Sequence, residues 1–254
     1  MSELAFGFMV FACVFAGAMA GLWLSPLLPH SHRSDATRDA VRLGAGMISI
    51  LASLVLGLLT ASAKGKFDNT DQQLRSYAAD LIQLDQVLRD YGSAADPIRA
   101  RLLRYTEVAV HTTWPTQGSP QPEPLESTSE GEMIDRVPQD ILQLDASDDR
   151  QRWMREHALD LASELIHTRW SVLVGQEGTF SPVLLGIMVA WITFIFASFG
   201  LNAPRNATVV VAFVLCSASI GASVFLIDEM DTPFTGVIMV SPAPMQDALA
   251  HLRQ

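Results

Sequence analysis

The chain has 254 residues, 49% of them hydrophobic, a formal net charge of −10 and a positive mean hydropathy. That mixture fits a membrane protein carrying a soluble part rather than one globular core. Residues 64–177 hold 12 basic and 20 acidic residues. This acidic balance argues against nucleic acid as a partner and against docking on anionic lipid.

Four long stretches carry no charge: residues 4–28, 43–63, 178–204 and 206–227. Crossing about 30 Å of hydrocarbon takes roughly 20 mainly apolar helical residues, and all four are long enough. The fold class that follows is an all-α integral membrane protein. It has four transmembrane helices in two hairpin-like pairs and a soluble helical-bundle insert. The expected domains are a first pair (1–63), the insert (64–177), a second pair (178–227), and an acidic motif with a tail (228–254). Met1-Ser2-Glu3 lacks the basic start of a signal peptide, so span 1 is expected to be retained. The two cysteines, Cys13 and Cys216, fall inside spans, where they read as apolar space-fillers rather than a disulfide framework.

In span 1, Gly17 and Gly21 stand four apart, a spacing that lets helix backbones approach closely in lipid. Ordinary small-residue content is the blander explanation. Pro26 and Pro29 end the span, and a loop at 30–42 follows; its His30 and His32 read as solvated. Span 2 is expected to stop near Lys64-Gly65-Lys66, with Asp68-Asn69-Thr70 capping a new helix. That helix carries Leu74, Tyr77, Leu81, Leu84, Leu88 and Tyr91 at steps of 3, 4, 3, 4 and 3, a heptad seam. Gly92 is its stop. Asp96-Pro97 starts a second helix, with Asp96 as the cap, and Trp114-Pro115 closes it. Arg99, Arg101 and Arg104 read as a solvated or salt-bridged face. Residues 115–138 contain five prolines among polar residues and are expected to be a mobile loop. A third patterned helix covers 148–174. Spans 3 and 4 are joined by the tight turn around Pro204. In span 4, Ser217/Gly221 and Ser219/Ser223 suggest another close-packing face. A short strand at 237–240 and an amphipathic helix ending the chain complete the expectations.

Nothing points to catalysis. There is no phosphate-binding glycine loop, zinc-protease helix, nucleophile elbow or cysteine pair. No ionisable residue sits in the middle of a span, which argues against a proton-coupled transporter and suits a passive channel or a non-conducting scaffold. The best site is the acidic cluster Asp228, Glu229 and Asp231 at the end of span 4, where the helix dipole disfavours carboxylates. Three explanations stand: a divalent cation such as Ca²⁺, which wants 6–8 oxygens; internal salt bridges; or a solvated cap on a helix that simply continues.

The tail Leu226-Ile227-Asp228-Glu229-Met230-Asp231-x-Pro233-Phe234-x-Gly236-x-Ile238-x-Val240-Ser241 resembles the signature of bestrophin-like membrane proteins. Phe67-Asp68-Asn69-Thr70, Ala78-Ala79-Asp80-Leu81 and Asn202-x-Pro204-Arg205-Asn206 resemble the same family. The resemblance implies an oligomer, a pentamer as in bestrophin anion channels, with acidic residues after span 4 that help bind calcium. It also implies a bacterial inner-membrane location with the insert in the cytoplasm; basic residues alone leave the orientation tied. The chain has no counterpart of the bestrophins' aromatic pore-neck motif. The rival expectation is a membrane scaffold that conducts nothing and binds a partner through its heptad-patterned helices.

Overall fold

The computed structural model describes residues 3–27, 35–114, 128–174 and 182–254. His30 and His32, residues 115–127 of the expected loop, and the junction 175–181 lie outside them. The described residues form α-helices and 3-10 turns, with no strand among them; 237–240, expected as a strand, is bend and coil. Among the described residues, four helices are long and apolar enough to cross a membrane.

The chain divides into two compact units. The first comprises residues 1–66 and 178–238. Here α1 (Glu3–Leu24) packs on both α7 (Pro182–Asn202) and α8 (Ala207–Asp231). Small residues make this packing possible. A Cβ added to Gly21 would lie 2.1 Å from the Ala197 carbonyl oxygen, and one on Gly200 would lie 2.1 Å from that of Ala18. Gly17 abuts Thr193 in the same way. The Gly17/Gly21 face is therefore a helix-packing face. Gly221 on α8 meets Gly7 and Phe11, and Ser217 is fully buried. Ser219 and Ser223 behave differently: each hydroxyl donates to the carbonyl four residues back instead of joining the packing face. Cys13 and Cys216 are free and exposed on the helix surfaces, so they fill no packed space within the chain.

The second unit comprises residues 67–177 and 239–254. Its core holds the whole expected seam. Leu81, Leu84 and Leu88 are fully buried, and Leu74, Tyr77 and Tyr91 nearly so. They pack with Ile98, Leu102 and Tyr105 of α3 (Asp96–Thr113) and with Met154, Ala158 and Leu165 of α6 (Asp149–Val174). The tail contributes Met245, Ala248 and Leu252 from α9 (Ala243–Leu252).

Three further expectations change. No new helix begins at Asp68: α2 runs unbroken from Asp35 to Tyr91. Gly65 alone does not end a helix, since a mid-helix glycine costs only about 1 kcal/mol against alanine and no proline follows. Asp96 is not the cap but the first residue of α3; Ala95, ending a 3-10 turn, takes the cap position without a side-chain bond. Finally, the later part of the expected 115–138 loop is helical, as α4 (Thr128–Asp135) and α5 (Val137–Leu142). Ile134, Val137 and Ile141 of these two helices are fully buried. Pro138 sits in the first turn of α5, where a missing N–H does no harm. Gly92 does end α2, with φ 111°, a conformation natural to glycine. Arg99 pairs with Asp85 and Arg101 with Asp140, the salt-bridged version of the expected arginine face.

Candidate functional site

The acidic cluster lies on the last turn of α8, which continues beyond the apolar run to Asp231. Asn206 opens this helix by accepting a bond from the Val209 amide at 2.9 Å. The far end needs positive charge, because the final carbonyls carry the negative pole of the helix dipole. Lys66 of α2 supplies it. Its Nζ donates both to the Asp231 main-chain oxygen and to Asp231 Oδ1, each at 3.0 Å. The ammonium thus caps the helix and neutralises the carboxylate at once. Both side chains are largely withdrawn from solvent, at 14% and 9% exposure.

Glu229 does something different. It is fully buried, and its Oε1 accepts from the amides of Val237 and Ile238, the latter at 3.0 Å. The chain turns back through Gly236, φ 87°, to bring those amides to it. Pro233 is buried within this turn. Glu229 Oε2 is buried with no hydrogen-bond partner among the described residues. Asp228 is half-buried, and no hydrogen bond or ion pair places a partner on it among the described residues.

The three carboxylates therefore sit on one helical turn with separate surroundings. Among the described residues no group of three His, Cys, Asp or Glu side chains is gathered to hold a metal ion. With Glu229 Oε1 and Asp231 Oδ1 already engaged, a calcium ion here would take most of its 6–8 oxygens from backbone carbonyls and water. A divalent cation using all three carboxylates would have to compete with Lys66 for Asp231.

Sequence reasoning passes over Lys66, treating it only as a charge near a span end. The signal available is a basic residue just past one span and an acidic cluster just past another. It also passes over Asp85, next to Leu84 in the seam. Asp85 is almost fully buried and accepts from Arg99 at 2.8 Å and Arg89 at 2.9 Å.

Together these features define a four-span α-helical membrane protein with a helical-bundle insert and an internally paired acidic motif after its last span. The family model for the Bestrophin-like domain matches residues 12–245, and the chain belongs to that family. No curated protein matches it. Among solved structures it is similar to a bacterial bestrophin homologue from Klebsiella pneumoniae in a form carrying a tryptophan-to-alanine mutation. That match has a TM-score of 0.68 and 15% identity, and covers 99% of this chain and 97% of that one. A leucine-to-threonine form of the homologue gives a TM-score of 0.66 and 15% identity, over 99% of this chain and 98% of that one. A structure described as a membrane protein with a glycine-to-alanine mutation gives a TM-score of 0.68 and 13% identity, over 96% of each chain. At these identities the likeness establishes the fold.

Proposed function

We propose that the chain assembles with copies of itself, as the pentamer its family resemblance implies, into a passive ion channel. In this reading the part of α2 that spans the membrane lines the narrow region of the pore. The observation that carries it is an apolar stripe. Leu43, Met47, Ile50, Leu54 and Leu58 are each 70–72% exposed. They recur every three or four residues and so share one side of the helix. Gly44, Gly46, Gly57 and Gly65 have nothing within 4 Å of an added Cβ. Small residues on an open face suit the close approach of another copy of the same helix. A ring of such stripes makes an uncharged, aliphatic constriction, which controls ion passage by its width and wetting.

The absence of charge from residue 43 to residue 63 supports passive conduction rather than coupled transport. An anion is the permeant species the resemblance suggests. The scaffold rival loses its main surface, because the heptad seam is consumed inside the insert's own core. A divalent cation on Asp228, Glu229 and Asp231 is the competing reading of the acidic motif, and the calcium measurements below decide it. The test of conduction is ion flux from liposomes containing the purified protein. The parent should release trapped ions, and Leu54→Ala, which widens the constriction, should release them faster. A parent as tight as empty liposomes sinks the channel reading.

A further inference from the structure

The acidic last turn of α8 needs compensation, and the family resemblance offers calcium for that purpose. The geometry points to a different solution: we propose that the Lys66 ammonium is the built-in counter-ion of the acidic motif. It fixes the end of span 2 to the end of span 4 without a metal. Three observations carry this. The ammonium is within 3.0 Å of both the Asp231 carboxylate and the Asp231 carbonyl, so it meets charge and helix dipole together. The pair is largely buried, where an ion pair is weakly screened and either partner alone is strongly disfavoured. And Glu229 has already committed Oε1 to two backbone amides, which removes that oxygen from the donors a cation would use there.

The consequence concerns regulation. A calcium-held junction loosens when calcium falls; a lysine-held junction does not. Lys66 lies eight residues after Leu58 on the same unbroken helix. The pair therefore ties the helix bearing the apolar stripe to α8, and it does so at every calcium level. For conduction this rests on the pore reading of α2; for stability it stands alone.

The experiment is a double-mutant cycle on the purified full-length chain, melted in calcium and in chelator. The parent should melt at the same temperature in both. Lys66→Met leaves Asp231 buried without its cation and should lower the midpoint by roughly 5 °C or more. Asp231→Asn should recover part of that loss in the Lys66→Met background, because it neutralises the buried carboxylate that the ammonium no longer meets. Calcium should restore part of the loss in Lys66→Met, where a negative site has been vacated, and none in the double variant. If Lys66→Met does not fold, Lys66→Arg, which keeps the charge, should fold and melt near the parent. A calcium shift in the parent overturns the proposal. So do additive losses in the cycle, a Lys66→Met protein indifferent to calcium, or a Lys66→Arg protein that fails along with Lys66→Met. None of these readouts needs conduction, so an intact cycle with no ion flux would discard the channel reading alone.

Discussion

Tyr77 and Tyr105, one on α2 and one on α3, share a hydrogen bond of 2.6 Å between their hydroxyls inside the insert's core. Both rings are buried, Tyr105 completely. This is a polar contact within an otherwise apolar seam, and it ties α2 to α3. Burial first, then the neighbouring Tyr105, holds the Tyr77 phenol well above its ordinary value, with Arg169 opposing.

The sign of the pH effect follows. A phenol whose native pKa is raised favours the folded state below its ordinary value of about 10. That stability is lost as pH rises from there through the native value, because the unfolded chain sheds its proton first. Burial also raises Tyr91, and the chain has only three tyrosines. Absorbance titration should therefore find fewer than three phenols ionising near pH 10 while the helical signal persists. Three ordinary, reversible titrations in the folded protein would contradict the buried pair.

Leu84 has no exposed surface and occupies the middle of the seam. Leu84→Asp should destabilise the insert by roughly 3–5 kcal/mol, the effect of an unpaired charge in an apolar core. Thermal melting checks this, and a midpoint equal to the parent's would show that the seam tolerates charge.

The α1–α7 contact is set by backbone approach at Gly21 and Gly200. Gly21→Ala and Gly200→Ala should each destabilise by about 1–3 kcal/mol through overpacking. Gly46→Ala should instead stabilise the helix by up to about 1 kcal/mol, since nothing lies within 4 Å of its Cβ and alanine is the better helix former. Stability in detergent that ranks these variants the other way would remove glycine-mediated packing from the account.

Glu229 is predicted to hold the turn after α8. Glu229→Ala leaves the Val237 and Ile238 amides without their acceptor, an effect of about 1–3 kcal/mol for each buried group. Glu229→Gln keeps an acceptor oxygen and should lose less. Hydrogen exchange at those two amides is the readout; unchanged protection in Glu229→Ala would mean the carboxylate is not their anchor.

Asp85 joins Arg89 and Arg99 at the insert's edge. The arginines retain some exposure, so the effect of Asp85→Asn is expected to be moderate, about 1–2 kcal/mol. It should combine with Arg99→Met less than additively. Additive losses would indicate that the pair contributes nothing of its own.

Much of this molecule is written in local sequence. Four uncharged runs determine four spans, because hydrocarbon tolerates little else at that length. Heptad spacing determines which faces of residues 74–91 and 154–172 are buried, because side-chain direction repeats every 3.6 residues. Small residues four apart mark the α1 face that meets α7. These signals depend on neighbours in the chain, so they survive without knowledge of the fold. Other features depend on what arrives from far away. The unbroken α2 across Gly65 contradicts the local stop signals there. Ile134, Val137 and Ile141 turn a proline-containing segment into helix, because the core offers them burial that composition alone does not reveal. The acidic motif shows the limit most clearly. Residues 228–231 announce a need for positive charge, yet local sequence cannot distinguish a metal from a lysine. Lys66 lies 165 positions away, and only the tertiary fold brings its ammonium to the end of α8.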